Sequence, residues 1–276
     1  MAQKSLLITG CSSGIGYASA HFMRDRGWRV FPACRKVEDV ARLREEGFEA
    51  VRIDYADTDS ILNGLAEVLE ATGGTLDGLF NNGAMGLPGP VEDIPTEGLR
   101  EIFEVNFFGQ HELTRRVIPV MRAQGSGRIV FTSSVLGFIV YKWRGAYNAS
   151  KFALEGLVQT LRIEMRDSPI RVSVIQPGPI ETNIIAKAGP QFDKWVDWEN
   201  SARAEQYRDE LLAKLYDPRP PTLFTRPPEA VAKLLAHALE ARNPRPNYMI
   251  TVPTRVSNVL KRVMPVRLHD WLLSKA

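Results

Sequence analysis

The chain has 276 residues, 44% of them hydrophobic, which is enough for one sizeable buried core. Its 35 basic and 32 acidic residues leave a net charge of only +3, so the composition indicates no nucleic-acid partner. No run of about 18 apolar residues could cross a bilayer, and no signal-like segment precedes Lys4, so we expect a cytoplasmic protein. Cys11 and Cys34 form no CxxC pair and are expected to be reduced core residues, and the four histidines are scattered, so we expect no metal site.

The first three-quarters of the chain alternates short β-branched runs with longer helical patterns. Several runs are continuously apolar, which is typical of strands covered on both faces. This alternation predicts an α/β fold, a single-domain Rossmann-type doubly wound parallel sheet of about seven strands with helices on both faces. The predicted strands are 6–9, 29–33, 50–54, 78–81, 128–133, 171–175 and 248–252, and the predicted helices are 15–26, 58–71, 96–122, 147–167 and 228–241.

Two segments interrupt the alternation. Residues 183–226 combine large aromatic side chains with many charges, and residues 253–276 form a tail. In the tail, apolar residues from Val256 to Val263 follow helical spacing, with basic residues between them. No linker separates either segment from the rest, so we predict one domain over residues 1–276.

Three glycines lie between the first predicted strand and the first predicted helix. Glycine lets the backbone turn tightly and lets phosphate oxygens approach main-chain N–H groups, and the helix N-terminus adds a partial positive charge. The spacing is one residue longer in the turn than G-x-G-x-x-G, so it is a variant of that dinucleotide loop. The predicted cofactor-binding residues of this loop are Gly10, Ser12, Ser13, Gly14, Ile15 and Gly16.

The same segment also fits G-x-S-x-G, the nucleophile turn of serine hydrolases, with Ser12 as the nucleophile. That turn requires an oxyanion loop from an earlier strand, and only nine residues precede Gly10. No acid followed by a histidine stands out downstream. A serine hydrolase is therefore the remote alternative to a dinucleotide site.

The end of the second predicted strand bears on the choice of cofactor. An Asp or Glu there usually binds a free ribose 2′-hydroxyl, whereas a 2′-phosphate requires positive charge. Cys34 stands where such an acid would be, and Arg35 and Lys36 follow it. The guanidinium fork of an arginine matches phosphate geometry. The sequence therefore favours NADP(H).

A tyrosine and a lysine at the start of a predicted helix are candidates for acid–base chemistry. Tyr147 and Lys151 are four residues apart and share one helix face. An ammonium near a phenol lowers the phenol pKa toward working pH, where a general acid or base is most effective. Ser134 ends the fifth predicted strand, at the sheet edge where ligands bind, and its hydroxyl could bind a substrate carbonyl.

Together, these motifs resemble those of the short-chain dehydrogenases/reductases, and they occur in the order expected of that superfamily. Within it, the chain resembles the branch of 17β-hydroxysteroid and retinol dehydrogenases, and most of all bacterial NADP-dependent aldehyde reductases. The motifs span about residues 5–185 and comprise the glycine loop, Asn81-Asn82-Gly83-Ala84, Asn106, Ser134, Tyr147, Lys151 and Pro177 to Thr182.

The resemblance implies an oxidoreductase that interconverts a carbonyl and an alcohol. It implies that Tyr147 donates or accepts the proton, Lys151 lowers the tyrosine pKa and binds the nicotinamide ribose, Ser134 orients the carbonyl, and Asn106 holds a water that relays protons. The cofactor itself carries the hydride. The further cofactor-binding residues that it implies are Asp54, Tyr55, Asn82, Gly83, Pro177, Gly178, Ile180 and Thr182, together with Tyr147 and Lys151.

One motif departs from the family pattern. The usual Asn-Asn-Ala-Gly is Asn-Asn-Gly-Ala here, ending in Gly83 and Ala84. If the last position requires positive φ, Ala84 is strained. Alternatively, the turn is shifted by one residue, so that Gly83 adopts the positive φ.

The resemblance places a substrate lid at 183–226. Phe138, Tyr141 and Trp143, between Ser134 and Tyr147, are the other candidate substrate contacts. Such apolar walls favour a hydrophobic aldehyde or ketone, and cells that keep NADPH reduced favour its reduction. Alternatively, these aromatic residues pack the lid onto the body of the domain.

The remaining expectations concern partners. The family usually pairs subunits through the helices predicted at 96–122 and 147–167, so the resemblance implies a homodimer or homotetramer. The tail could contact a membrane surface as an amphipathic helix with Lys261, Arg262 and Arg267 facing the headgroups, or it could pack on its own domain. A catalytically silent NADP(H) sensor or scaffold is the alternative function, although all four candidate catalytic residues are present.

Overall fold

The computed structural model describes residues 3–216 and 222–274. It confirms the predicted fold: seven parallel strands form one sheet in the order β3-β2-β1-β4-β5-β6-β7, with helices on both faces. The strands are β1 (Ser5–Thr9), β2 (Arg29–Cys34), β3 (Val51–Arg52), β4 (Gly78–Asn81), β5 (Gly127–Thr132), β6 (Ile170–Gln176) and β7 (Asn247–Met249).

Twelve α-helices lie in the described part of the chain, most of them connecting one strand to the next. They are α1 (Gly14–Asp25), α2 (Val37–Glu45), α3 (Thr58–Ala71), α4 (Thr96–Phe103), α5 (Gly109–Ala123), α6 (Gly145–Glu164), α7 (Gly189–Trp195), α8 (Ala204–Gln206), α9 (Ala213–Tyr216), α10 (Glu229–Glu240), α11 (Val252–Val263) and α12 (Val266–Ser274).

Alternate side chains of the central strands point to two separate apolar cores. On β1, Leu7 faces the core formed with α3, α5 and α6, whereas Leu6 and Ile8 face the core formed with α1, α2 and α10. Every residue of β1 and β4 is buried. Burial on both faces explains why these strands are continuously apolar in sequence.

The structure differs from the predicted elements in four places, one of which is the strand predicted at 248–252, because β7 ends at Met249 and α11 begins at Val252. Helix α2 was not predicted, because it is strongly charged and only Val40 and Leu43 of its residues are buried. The strand predicted at 50–54 contains only two strand residues, at the edge of the sheet. The helix predicted at 96–122 is divided by a π-helical segment, Glu104–Phe108, between α4 and α5.

The predicted lid region has its own apolar core above the start of α6. A 3-10 turn (Ala186–Ala188), α7, α8, a π-helical segment (Tyr207–Leu212) and α9 form its described part. Phe192, Tyr207 and Leu211 are at most 1% exposed. They pack with Leu87 and Ile102 from the body of the domain. Residues 217–221 of the predicted lid lie outside the described residues.

The tail forms α11 and α12, which are separated at Pro265. Residues 275–276 of the predicted tail, and residues 1–2 at the start of the predicted domain, lie outside the described part. Among the described helices, none has the length and apolar character needed to cross a membrane.

Candidate active site

Tyr147, Lys151 and Ser134 meet at the carboxyl end of β5. Tyr147 and Lys151 lie one turn apart near the start of α6, and the Lys151 ammonium is 5.8 Å from the centroid of the Tyr147 ring. Ser134 follows β5, and its hydroxyl accepts a hydrogen bond from the Leu136 amide at 3.1 Å. The Ser134 side chain also interacts with the Tyr147 hydroxyl, and this interaction acts to lower the tyrosine pKa. The structure thus brings three of the four candidate catalytic residues together.

The Lys151 ammonium is buried within the protein. Its Nζ donates to the Thr132 carbonyl oxygen at 2.8 Å, which attaches α6 to the last residue of β5. Burial lowers the pKa of Lys151 to about 8, and the negative charge of Glu155, one turn further along α6, opposes this decrease. Burial disfavours an ammonium because its charge loses hydration.

The Tyr147 hydroxyl has a raised pKa, which is opposite to the direction expected from the sequence. Burial raises the pKa of Tyr147 to about 12, while interactions with Ser134 and the Arg144 guanidinium act to lower it. In the chain alone, the loss of hydration therefore outweighs the effects of Ser134 and Arg144, and the lowering of this pKa by Lys151 stays a prediction. At neutral pH, Tyr147 is a protonated hydroxyl that can donate.

Asn106 lies in the π-helical segment, and its side chain links two neighbouring parts of the structure through hydrogen bonds. Its Oδ1 accepts from the Met85 amide at 2.9 Å, and its Nδ2 donates to the Met85 carbonyl at 3.0 Å and to the Ser150 hydroxyl at 3.1 Å. The side chain is fully buried. These bonds connect the loop after β4 to α6, one residue before Lys151. The water relay implied for Asn106 stays a prediction.

The glycine loop has a conformation and a packing that require glycine. Gly10 and Gly14 have φ values of +69° and +59°. A Cβ on Gly16 would collide with the Gly10 carbonyl oxygen. The Arg42 guanidinium, from α2, donates to the Ser12 carbonyl at 2.9 Å and holds the loop. The loop ends at the N-terminus of α1, an arrangement that fits the phosphates of a dinucleotide.

Thr9, the last residue of β1, organises the loops around the glycine turn. Its hydroxyl oxygen accepts from the amides of Asn82 at 2.9 Å and Gly83 at 3.1 Å. It also lies 2.8 Å from the Tyr55 hydroxyl. The Asn82 side chain donates to the Thr9 carbonyl at 3.1 Å and accepts from Thr132 at 3.1 Å. Asn82 is therefore placed beneath the glycine loop, where it joins β1 to β5.

Tyr55, a predicted cofactor residue, is placed beneath the site instead of at its surface. It is 7% exposed, and its hydroxyl donates to Asn81 Oδ1 at 2.7 Å. Gly83 and Gly109 both lie against it, since a Cβ on Gly83 would be 3.0 Å from the Tyr55 ring. The Tyr55 side chain consequently supports the loops that surround the cleft.

The conformation of the loop Asn81-Asn82-Gly83-Ala84 contradicts both predictions, a strained Ala84 and a positive φ at Gly83. Neither Gly83 nor Ala84 has a positive φ. Ala84 is therefore unstrained, and Gly83 does not adopt the positive φ that the shifted turn would require. The glycine at 83 is closely packed, because a Cβ on it would lie 3.0 Å from the Tyr55 ring.

The loop after β6 reaches across to the glycine loop. The Pro177 carbonyl accepts from the Val135 amide at 2.8 Å, and Ile180 forms an isolated parallel bridge with Arg226. A Cβ on Gly14 would be 3.1 Å from the Thr182 methyl group. A side chain on Gly178 would collide with Thr251, the residue before α11. The loop that carries four predicted cofactor residues is thus fixed between β5, the glycine loop and the start of α11.

The residues predicted to select the cofactor lie at the edge formed by β2 and β3. Arg35 and Lys36 follow β2 directly, and both side chains are exposed. Asp54 is held in a turn, where its Oδ1 accepts from the Ala56 amide at 3.1 Å. Cys34 is buried, as expected for a reduced core residue, and so is Cys11.

The three predicted substrate contacts have different surroundings. Tyr141 is 40% exposed and Phe138 is half-buried, whereas Trp143 is only 6% exposed. The Trp143 indole donates to Glu210 at 3.1 Å and packs against Tyr207 in the lid core. For Trp143 the structure therefore favours the packing alternative. Tyr141 and Phe138 remain predicted substrate contacts.

Sequence reasoning missed four residues that the structure adds to the site. Ser150 bonds Asn106, Glu155 lies near Lys151, Arg42 holds the Ser12 carbonyl, and Lys187 contacts the glycine loop. The spacing of Tyr147, Lys151 and Glu155 along one helix face was a usable signal for Glu155. No comparable sequence signal existed for Lys187. Within the described residues, no cluster of three His, Cys, Asp or Glu side chains could hold a metal ion.

The comparison with known proteins agrees with this geometry. The family model for short chain dehydrogenases matches residues 4–192. The chain belongs to the short-chain dehydrogenase family. It is 42% identical over 272 residues to the uncharacterised oxidoreductase YbbO of Escherichia coli K12, covering 98% of this chain and 94% of that protein.

Two further relatives represent the family more broadly. Human retinol dehydrogenase 8 is 34% identical over 197 residues, covering 67% of this chain and 62% of that protein. A short-chain dehydrogenase/reductase from Burkholderia phymatum, solved in complex with NAD, superposes with a TM-score of 0.79 at 26% identity, covering 93% of this chain and 92% of that one. The chain is therefore an oxidoreductase of this family with a nucleotide-binding Rossmann fold.

Replacing Glu155 by Gln should lower the pKa of Lys151 below its value of about 8. The substitution removes the negative charge that favours the ammonium and keeps an oxygen for the 2.9 Å bond from Gln176. We expect a roughly tenfold larger acid dissociation constant for Lys151. The measurement is an NMR titration of the lysine Cε resonances, with Lys151→Met used to assign the signal.

Glu164→Gln is the matched control, because this exposed glutamate lies at the far end of the same helix. It should leave the Lys151 titration unchanged. An unchanged Lys151 titration in Glu155→Gln as well would show that Glu155 does not stabilise the ammonium.

Proposed function

We propose that the protein is an NADP(H)-dependent oxidoreductase that interconverts a hydrophobic aldehyde or ketone and its alcohol. The observation that carries this proposal is the meeting of Ser134, Tyr147 and Lys151 at the end of β5, where Thr132 is joined to the end of β1 through Asn82. A binding module has no need of a protonated phenol next to a serine hydroxyl and a buried ammonium. Membership of the short-chain dehydrogenase family supports the reaction class.

In this proposal, each side chain has a defined role. The bound nicotinamide supplies the hydride during reduction. The Ser134 hydroxyl holds the substrate carbonyl, and the Tyr147 hydroxyl donates the proton to the carbonyl oxygen. The high pKa of Tyr147 keeps it protonated for this step. The Lys151 ammonium stabilises the phenolate that remains, and the Asn106–Ser150 bond holds this part of α6 in place.

We assign NADP(H) as the preferred cofactor from the charges at the end of β2. Arg35 and Lys36 are exposed there, and Cys34 is buried where an acid would select NAD. Burial dominates at the Cys34 thiol and raises its pKa to about 12, the Asp39 carboxylate acts in the same direction, and Arg42 acts to lower it. Arg42 is paired with Asp39, so the charges left to bind a 2′-phosphate are those of Arg35 and Lys36.

A hydrophobic substrate is supported by the surroundings of Tyr147. Its ring packs against the lid core that contains Phe192 and Tyr207. Val140 and Tyr141 are 45% and 40% exposed and lie between Ser134 and Tyr147 in the chain. Human retinol dehydrogenase 8, a relative of this chain, is named for an apolar alcohol. The substrate class that we propose is accordingly an apolar carbonyl, with reduction as the favoured direction.

We further propose a homodimer or homotetramer in the cytoplasm that pairs through α4, α5 and α6. Exposed apolar side chains support this choice, since Phe108, before α5, is 49% exposed and Ile163, on α6, is 68% exposed. Apolar side chains at this exposure are typical of surfaces that a partner covers.

Two other functions are weaker. A catalytically silent NADP(H) sensor or scaffold would not require the contact between Ser134 and Tyr147, and would bind cofactor without turnover. A serine hydrolase would need a histidine beside Ser12, but the described side chain that bonds the Ser12 hydroxyl is Lys187. Ester cleavage that is lost in Ser12→Ala would revive the hydrolase.

Replacing Tyr147 by Phe should reduce kcat for NADPH-dependent carbonyl reduction by about 10²–10⁴-fold, the usual contribution of general acid catalysis. NADPH affinity should change little, because the ring remains in place. The measurement is the loss of absorbance at roughly 340 nm, the nicotinamide band of the cofactor, with a panel of apolar aldehydes and ketones. Turnover by the wild type with no member of the panel, despite NADPH binding, would favour the sensor.

Replacing Arg35 by Ala should reduce kcat/KM for NADPH by roughly 10–100-fold and leave kcat/KM for NADH nearly unchanged. The lost group is a charged donor to the 2′-phosphate, which NADH lacks. Arg116→Ala, at an exposed arginine of α5 paired with Glu112, is the control and should change neither value. Equal losses with both cofactors would contradict the assignment of Arg35 to the 2′-phosphate.

A further inference from the structure

A lysine of the lid contacts the glycine loop. Lys187 lies in the 3-10 turn Ala186–Ala188, and its Nζ donates to the hydroxyls of Ser12 at 3.1 Å and Ser13 at 2.6 Å. Ser13 is the N-cap residue of α1, but its side chain makes no capping bond. Both serine hydroxyls of the loop are therefore directed to the lid lysine and not to the helix.

These three groups form a set of donors for an anion. An ammonium has three protons, of which two point to the serine oxygens. Each hydroxyl accepts from Lys187, so its own proton is available to an anionic oxygen. Both partners are neutral, and the positive charge of Lys187 is therefore not compensated by them. Converging donors with a net positive charge beside a helix N-terminus fit a phosphate group.

The position of Lys187 distinguishes between the phosphates of a dinucleotide. The Ser12 that it contacts adjoins the end of β2, because the preceding Cys11 amide donates to the Ala33 carbonyl of β2 at 3.1 Å and Arg42 of α2 donates to the Ser12 carbonyl at 2.9 Å. Arg35 and Lys36 lie at that same strand end. A 2′-phosphate on the adenosine ribose is bound at this strand end in Rossmann-type folds.

We propose that Lys187 binds the 2′-phosphate of NADP(H) and so makes the lid part of the cofactor site. This inference rests on the proposed NADP(H) dependence. The lid packs on the body of the domain through Ala188, which follows Lys187 and is 1% exposed. A phosphate bound at Lys187 therefore stabilises the closed position of the lid, and NADP(H) prepares the site for the substrate.

The test is calorimetric titration of the full chain with NADPH, NADH and 2′,5′-ADP. Lys187→Gln should weaken NADPH and 2′,5′-ADP binding by roughly tenfold, as expected for an exposed charged donor, and should leave NADH unchanged. Lys187→Arg should retain most of the affinity. Lys214→Gln, at another lid lysine that lies on α9, is the matched control and should behave as the wild type.

The other outcomes overturn the inference in different ways. Equal losses for NADPH and NADH would show that the ammonium binds the pyrophosphate and not the 2′-phosphate. Unchanged binding of both in Lys187→Gln would remove Lys187 from the site. A wild type that binds NADH more tightly than NADPH would instead reject the proposed cofactor preference, independently of Lys187.

A second observation concerns α11, whose apolar side faces away from the protein. Its inward side is polar: Thr254 is fully buried and its hydroxyl lies 2.8 Å from that of Thr251, while the Lys261 ammonium lies 4.7 Å from the Phe152 ring centroid. Its outward side is an apolar stripe at helical spacing. The stripe, with exposed fractions, is Val252 (55%), Val256 (49%), Val259 (58%), Leu260 (38%) and Val263 (71%).

Helix α12 extends this surface, and both helices are basic. Val266 and Trp271 of α12 are 73% and 58% exposed. From 252 to 274 the sequence has four basic residues, namely Arg255, Lys261, Arg262 and Arg267, and one acidic residue, Asp270. An exposed apolar stripe flanked by cations is the arrangement of helices that lie in a membrane interface.

We infer that the stripe docks the protein on an anionic phospholipid surface. Charge complementarity selects this occupant, since lipid phosphates neutralise the cations, whereas a second copy would bring an identical basic helix against this one. The helix begins beside the cofactor loop, where Thr251 contacts Gly178. Docking would therefore hold the cleft close to the bilayer.

Cosedimentation with vesicles tests this docking. The wild type should sediment with vesicles of phosphatidylcholine plus phosphatidylglycerol and much less with phosphatidylcholine alone. Val259→Asp/Val263→Asp should abolish sedimentation, and Arg255→Gln/Arg262→Gln should remove the preference for the anionic lipid. Val91→Asp is the control, because this valine is 76% exposed on another part of the surface.

Light scattering on the same variants measures the oligomeric state, and so distinguishes docking on a membrane from association of two copies through the stripe. No sedimentation of the wild type with anionic vesicles would overturn the inference. So would a wild-type dimer that Val259→Asp/Val263→Asp dissociates, because the stripe would then be a contact between copies. Retained folding and activity in the double variant would show that any loss of vesicle binding is local.

Discussion

The hydrogen bond from the Lys151 ammonium to the Thr132 carbonyl joins a helix to the end of a strand inside the protein. A buried ammonium requires a strong acceptor, and the end of β5 supplies one. Together with the packing of Leu154 and Val158, this bond holds α6 at a fixed distance from the sheet. It thereby helps to position the Tyr147 hydroxyl relative to Ser134, which follows the same strand. Any side chain that changes the spacing of β5 and α6 changes the distance between the two hydroxyls.

The glycine loop depends on a similar arrangement on the other side of the cleft. Thr9, at the end of β1, holds the loop after β4 through its hydroxyl, and the Tyr55 hydroxyl occupies the space below. A Cβ on Gly10 would lie 2.7 Å from the Gly83 Cα, and a Cβ on Gly83 would lie 3.0 Å from the Tyr55 ring. The cleft is thus built from short backbone contacts at the ends of neighbouring parallel strands, the usual ligand position in such sheets.

Local patterns predicted most of the fold, because continuous apolar runs and helical spacing are visible in short stretches of sequence. The proximity of Tyr147 and Lys151 followed from their spacing on one helix. Contacts between distant segments were not predictable: Lys187 is 175 positions from Ser12. Helix α2 was not predicted, because most of its residues are charged and its apolar pattern is weak. The raised pKa of Tyr147 depends on burial by segments that are distant in sequence, and a local motif does not predict that burial.

The two cysteines, Cys11 and Cys34, have a consequence for the lifetime of the protein in the presence of reactive carbonyls. Aldehydes add to thiolates, and a thiolate forms readily only where the thiol is exposed or its pKa is low. Both thiols are at most 2% exposed, and burial raises the pKa of each. The folded chain therefore presents no exposed cysteine thiol to electrophiles. Its native state resists covalent inactivation through cysteine by the class of molecules on which it is proposed to act.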